Sequence, residues 1–239
     1  MSEISVAVVT QGHAFHVRPF IDFFNSLNGV KAYVISIGDW LTASGIDDHP
    51  WYQETYSELP DFPHREVRDS FDVTLFYNLA YPEKLEGDTK AAVERLIELG
   101  KPIFVMHHAL FNWDARWGKI IGLSKPRELR DEDYGGPLNG IWFGTFPVNV
   151  VKEHPAAKGL IDFEINDETY ALPDCDDDCE VLLTTEKRTS MRTIAWTRTE
   201  GKSRIFCSEL GHDWKAWQNP AFRTLVQNGI HWCAEKELV

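Results

Sequence analysis

Five of the nine histidines stand just after segments that read as β-strand: His13 and His16 after residues 4–10, His107 and His108 after 102–106, and His212 after 204–208. Imidazole titrates near neutrality and is the commonest metal ligand, so such ends converging on one place would supply proton transfer or metal ligation. Glu209 and Asp213 flank His212 and add carboxylates that can act as acid, base or orienting group. His13, His16, His108, Glu209 and Asp213 are therefore the candidate catalytic side chains. Covalent catalysis has no candidate. The segment Lys101-Pro-Ile-Phe-Val-Met-His-His-Ala109 has the strand-to-turn form of a nucleophile elbow, yet no Ser or Cys stands at the turn and Gly-x-Ser-x-Gly is absent. Cys207 alternates with Ile205 on an apolar strand face and reads as core.

The elements that must position these groups follow from periodicity. Residues 4–10 are rich in β-branched side chains, and Val17, Phe20, Ile21, Phe24 and Leu27 then recur at helical spacing up to Asn28-Gly29. Residues 31–37 and 71–77 read as strands, 88–100 as a helix stopped by Gly100, and 102–106 as a strand apolar at every position, hence covered on both faces. Strands alternating with helices predict a doubly wound parallel sheet, in which ligands lie beyond the carboxyl ends of the strands. From Val148 the texture changes to short strands at 148–151, 163–165, 181–183, 193–196 and 204–208, with a hairpin at Glu200-Gly201 and no helical pattern until Pro220. The last segment, 220–235, opens on Pro and carries Phe222, Leu225, Val226, Ile230 and Cys233 at helical spacing.

Composition bounds the partners. With 24 basic against 37 acidic residues the net charge is −13, which disfavours nucleic acid and anionic membrane surfaces. No apolar run approaches the ~20 residues of a membrane helix, and the N-terminus lacks a basic n-region, so a cytoplasmic, soluble protein is expected. Four cysteines are too few for a disulfide framework, and 239 residues without a Pro/Gly/Ser-rich linker suggest one domain over 1–239. Asp174-Cys-Asp-Asp-Asp-Cys-Glu180 lacks the Gly and ligand spacing of a calcium loop and a second Cys pair for zinc, and reads as a solvated acidic loop.

One ordered set of motifs resembles the trehalose-utilisation ThuA-like family. It comprises Val105-Met-His-His-Ala109, His154-Pro-Ala-Ala-Lys-Gly159, Asn166-Asp-Glu-Thr-Tyr170, Thr193-Ile-Ala-Trp-Thr-Arg198, Leu210-Gly-His-Asp213 and Gly229-Ile-His-Trp232. The resemblance spans nearly the whole chain. It implies a flavodoxin-like sheet of the class I glutamine amidotransferase type without the catalytic cysteine: mostly parallel, helices on both faces, antiparallel strands added in the second half. It also implies a role in catabolism of trehalose or related disaccharides, at the level of keto-sugars, and a metal held by His107, Glu168 and His212. Two imidazoles and a carboxylate with an open position are what a catalytic zinc or similar divalent ion needs. The doubled His107-His108 leaves open which ring faces the site.

The expected function is metal-dependent isomerisation, elimination or hydrolysis of a keto-sugar or keto-glycoside, the alternative being a sugar-binding module without turnover. Glutamine amidotransfer fails for want of a nucleophile. The partner is a small-molecule sugar, a homo-oligomer being compatible with it. Of nine tryptophans, Trp196 and Trp232 fall in elements read as buried, whereas Trp113, Trp142, Trp214 and Trp217 follow the site segments and could wall a sugar cleft. Trp113, Trp142 and Trp214, with Tyr170, are the candidate substrate-binding residues.

Overall fold

The computed structural model describes residues 3–42, 67–80, 84–112, 115–125 and 141–235. In its first half the elements are β1 (Ile4–Thr10), α1 (Val17–Asn25), β2 (Val30–Ser36), α2 (Ile37–Thr42), α3 (Val67–Ser70), β3 (Val73–Phe76), α4 (Gly87–Glu98), β4 (Ile103–Met106), a 3-10 turn (His107–Phe111) and α5 (Ala115–Ile121). The second half adds β5 (Ile141–Val150), a 3-10 turn (Pro155–Ala157), β6 (Phe163–Tyr170), β7 (Glu180–Thr184), β8 (Thr193–Glu200), β9 (Ser203–Ser208), α6 (Trp214–Gln218) and α7 (Pro220–Cys233).

These strands form one sheet in the order β2-β1-β3-β4-β9-β8-β7-β5-β6. β2, β1, β3, β4 and β9 are parallel, and β8, β7, β5 and β6 continue antiparallel. The expected mixed α/β sheet is thus present, including the hairpin, in which Glu200 pairs with Ser203. Successive residues of a strand point to opposite faces, so each buried strand feeds two cores. Val6, Val8, Phe104, Met106 and Phe206 pack with Phe20, Phe23 and Phe24 of α1 and Phe222, Leu225 and Ile230 of α7. Ala7, Val9, Ile103, Val105, Ile205 and Cys207 pack on the other face with Ala92, Val93 and Leu96 of α4 and Trp117, Ile120 and Ile121 of α5. Cys207 is wholly buried there. A Cβ at Gly229 would stand 2.8 Å from the Phe104 ring, so the missing side chain lets α7 seat on β4.

Four expectations need correction. Residues 148–151 are only the end of β5, which begins at Ile141; Gly144 and Pro147 interrupt its period. β6 continues past Ile165 to Tyr170, because Asn166, Asp167, Glu168 and Thr169 are strand residues whose polar side chains break the apolar alternation. A helix does precede Pro220: α6 has five residues, too few to show a period, and starts where the Asp213 carboxylate accepts the Lys215 N–H at 2.8 Å. The acidic loop is also less solvated than expected, since Cys175 is buried and Asp174 accepts the N–H groups of Arg192 and Thr193 at 2.7 and 3.0 Å.

Candidate metal centre

β4 ends in an abrupt turn. His107 takes φ +55°, a left-handed conformation uncommon for a side-chain-bearing residue, and the chain passes at once into the 3-10 turn. This is the strained strand-to-helix geometry of an elbow, with imidazoles where a hydrolase presents its nucleophile. Both His107 and His108 are buried by it.

Two other parallel strands deliver their ends to the same place. After β1, Gly12 at φ +83° passes so close to Leu79 that a Cβ would overlap its carbonyl oxygen, and the Leu79 N–H donates to Gln11 O at 2.8 Å. That contact carries the exposed His13 over the site, its ring stacked on His108 with centroids 3.9 Å apart. After β9, His212 comes within 5.2 Å of the His107 ring and 5.5 Å of His108. β6 completes the set although it is the far edge strand of the sheet. The Asp167 carboxylate accepts N–H groups from Gly211 at 2.7 Å and His212 at 3.0 Å, which holds the β5–β6 ribbon over the carboxyl end of β9.

At the centre, His107, His108, Glu168 and His212 each offer one ligand atom, and the four atoms lie within 4.8 Å of one another. Glu168 Oε2 is 3.1 Å from His212 Nε2 and its Oε1 is 3.8 Å from His107 Nε2. His107 Nδ1 donates to the Glu209 carbonyl at 2.6 Å, leaving Nε2 with its lone pair facing the Tyr170 hydroxyl at 2.7 Å. Both ring nitrogens of His108 are buried and find no hydrogen-bond partner among the described residues. Such orphaned polar atoms are costly, by about 1–3 kcal/mol, unless something unseen satisfies them.

Electrostatics favour neutral rings. Burial holds the His107, His108 and His212 imidazoles below the ordinary histidine value, and the neighbouring imidazoles push the first two further down. His212 and Glu168 thus approach at 3.1 Å with burial disfavouring the charged form of each. Burial raises Glu168 to about 7, partly offset by the Tyr170 hydroxyl, and raises Asp167 to about 7 against three backbone N–H groups that favour its charged form. Neutral imidazoles and a carboxylate that a cation would ionise have the composition of a divalent site, and the orphaned His108 nitrogens fit that use.

The remaining candidates divide. Glu209 is fully buried and its carboxylate accepts the Tyr170 N–H at 2.7 Å and the Ser190 hydroxyl at 2.9 Å, so it buttresses the site while its carbonyl orients His107. Asp213 caps α6, its second oxygen 3.9 Å from His212 Nδ1, beyond a hydrogen bond. His16 is exposed at the N-cap of α1 and makes no ring contact with the cluster among the described residues. Tyr170 is buried within the cluster rather than set on a cleft wall. Trp142 stands opposite Thr169 on β5, so the strand's alternation turns it from the Glu168 face; its neighbour Phe143, opposite Glu168, packs on His212 at 5.4 Å. Trp214 is 39% exposed at the start of α6. Trp217 is buried and donates to Gly211 O at 2.9 Å, so it anchors the loop instead of lining a cleft. Trp113 lies outside the described residues. Of the two tryptophans expected in the core, Trp196 is fully buried and Trp232 only partly.

Sequence reasoning missed three positioning residues. Asp167 is one, Phe143 is another, and the third is Tyr77, whose hydroxyl donates to His212 O at 2.9 Å and whose ring meets His108 edge-on at 5.3 Å. Asp167 had a signal, being one of the acids in the Asn166–Tyr170 motif, and so did Tyr77, which ends the strand read over 71–77; Phe143 needed the register.

Over residues 29–233 the sequence matches the family described as ThuA, trehalose utilisation. The chain belongs to this family. Among solved structures, a ThuA-like protein of Parabacteroides merdae is 19% identical with a TM-score of 0.64, covering 100% of this chain and 92% of its own. A ThuA-like protein of Bacteroides uniformis is 17% identical with a TM-score of 0.64 over 97% and 92%. A glutamine amidotransferase of Thermotoga maritima is 11% identical with a TM-score of 0.53 over 99% and 100%. These likenesses show a ThuA fold of the glutamine amidotransferase type. Comparison with curated proteins returns no match. The family supports a sugar-utilisation role, and among the described residues of this ThuA chain no helix is long and apolar enough to cross a membrane.

Proposed function

We propose that this ThuA chain is a metal-dependent enzyme acting on a keto-sugar or keto-glycoside, by isomerisation, elimination or hydrolysis, in the cytoplasm. The observation that carries the reading is the buried quartet of His107, His108, Glu168 and His212, with four ligand atoms within 4.8 Å and two orphaned imidazole nitrogens. The quartet enlarges the three-ligand set that the family resemblance implies by adding His108. A divalent ion of the zinc class there would polarise a carbonyl oxygen or lower the pKa of a water.

The chain's own groups supply the rest. His13 is the exposed imidazole over the site, and its Nδ1, 2.7 Å from Ala14 O, donates there and leaves Nε2 with a lone pair to take up a proton. Phe143 and the partly exposed Trp214 offer apolar surface to a sugar ring. Glu209 and Asp167 act through the residues they hold, not on substrate. An uncharged sugar suits a chain of net charge −13, since it needs no basic steering.

The test is direct. Purified protein should carry or take up close to one equivalent of a divalent metal, and His212→Ala should lose it together with turnover of oxidised disaccharides. Full metal content and activity in that variant would overturn the assignment. Thermal stabilisation by sugars without any product under metal-replete conditions would instead establish a binding module.

A further inference from the structure

The loop joining β6 to β7 carries Asp174-Cys-Asp-Asp-Asp-Cys-Glu180 and takes no part in the histidine cluster. It is fastened to the end of α5 and to β8. Asp176 donates its N–H to Gly122 O at 2.8 Å and accepts the Ser124 N–H at 3.1 Å, and Lys125 Nζ donates to Cys175 O at 3.0 Å. On the other side Asp174 holds the Arg192 and Thr193 N–H groups. A turn in which the Cys179 N–H donates to Asp176 O at 3.0 Å folds Cys179 back toward Cys175, with its sulfur 3.9 Å from the same Gly122 carbonyl that accepts the Asp176 N–H, and each thiol acts on the other's proton. Gly122 makes the seat for the second sulfur. It lies at φ +81°, and any Cβ there would overlap Cys179 Sγ.

Both are free thiols, Cys175 buried and Cys179 partly exposed. The neighbouring Cys179 thiol, aided by the Thr193 hydroxyl and opposed by burial, holds the Cys175 thiol below the ordinary cysteine value, while Cys179 is lifted. One sulfur disposed to be the thiolate, beside a second that keeps its proton, is the asymmetry of a dithiol couple. The other two cysteines differ. Cys207 and Cys233 are buried in the two cores, where burial pushes their thiols up, and their sulfurs face the Ile121 and Ile103 carbonyls.

We propose that Cys175 and Cys179 form a dithiol redox site that a peroxide closes to an intramolecular disulfide. The Cys175 thiolate attacks one peroxide oxygen, the O–O bond breaks, and Cys175 becomes a sulfenic acid with release of hydroxide. Cys179 gives up its proton, its sulfur displaces the second hydroxide from Cys175, and the S–S bond forms. With the two thiol protons the two hydroxides become water. Two thiols and one hydrogen peroxide thus give one disulfide and two waters, two electrons passing from sulfur to oxygen.

The experiment uses the intact chain. Protein treated with an equivalent of hydrogen peroxide, quenched in acid, unfolded and alkylated should take label at Cys207 and Cys233 only. Its mass should fall by two hydrogens before labelling, and dithiothreitol should restore label at Cys175 and Cys179. Cys179→Ser should stop at a sulfenic acid on Cys175 that dimedone traps, and Cys175→Ser should leave Cys179 open to label after peroxide; either variant suffices if the other fails to fold. Continued labelling of both thiols in the wild type would overturn the proposal. So would a sulfinic acid at Cys175 or a dimer joined through Cys179.

Discussion

Asp167 accepts the backbone N–H of His212 at 3.0 Å while its neighbour Glu168 meets the ring of the same histidine at 3.1 Å, so one short stretch of β6 fixes both the main chain and the side chain of His212. Outer partners of this kind set ligand orientation, and their loss commonly weakens metal affinity by about 10–100-fold.

Asp167→Asn is the first prediction. It keeps the volume but can turn a donor against the Gly211 and His212 N–H groups, and it should weaken divalent-metal affinity by about 10–100-fold. Metal-chelator competition checks this. Denaturant unfolding of the metal-free protein should show a loss of about 1–3 kcal/mol from the N–H groups left unpaired.

Glu209 gives a sharper discrimination. Its buried carboxylate lies well above the ordinary glutamate range because of burial, and it accepts from Tyr170 and Ser190. Glu209→Gln keeps an oxygen acceptor and should leave kcat within a few-fold, whereas a proton-transferring carboxylate would lose about 10²–10⁴-fold. Steady-state kinetics of the metal-loaded protein on an oxidised disaccharide that it turns over decides between them. Glu209→Ala should instead lower thermal stability.

Trp214 tests the substrate surface. Among the described residues its exposed ring makes no hydrogen bond comparable to that of buried Trp217, so Trp214→Ala should raise KM by about threefold to tenfold, an aromatic contact being worth about 0.5–1.5 kcal/mol. Unfolding midpoints should not move. An unchanged KM would take Trp214 out of the site.

His154 makes a pH prediction away from the site. Its neutral Nδ1 accepts the Ala156 N–H at 3.1 Å at the start of the Pro155–Ala157 turn, and burial, together with Lys152 and Arg204, holds its imidazole below the ordinary value against the pull of Glu180. A base whose folded value is lowered contributes stability that is intact above the unfolded value of about 6.5 and is lost as pH falls toward the folded one. The His154 resonance should titrate below free histidine by NMR, and the acid-side loss of stability should shrink in His154→Asn.

Much of this protein is set by local pattern. Residues 4–10 and 102–106 are strands because β-branched and apolar side chains run unbroken between breakers, and α7 starts at Pro220 and buries the residues its spacing selects. Chain order then places His13, His107, His108 and His212 at carboxyl ends of parallel strands, so four histidines of the candidate site were legible from the sequence. Other decisions are long-range. Nothing local in Asn166–Tyr170 says that an edge strand curls back to meet the loop after β9; the Asp167 bonds to Gly211 and His212 do. Which ring of the doubled pair faces inward was undetermined because the left-handed turn at His107 depends on what packs around it, and that turn buries both. Phe143 and Trp142 are adjacent aromatics of similar pattern, and only the register that pairs Phe143 with Glu168 puts one of them on the site. Spacing along the chain fixes which residues share a face of one element; which elements meet is fixed by burial and hydrogen bonding between segments far apart in sequence.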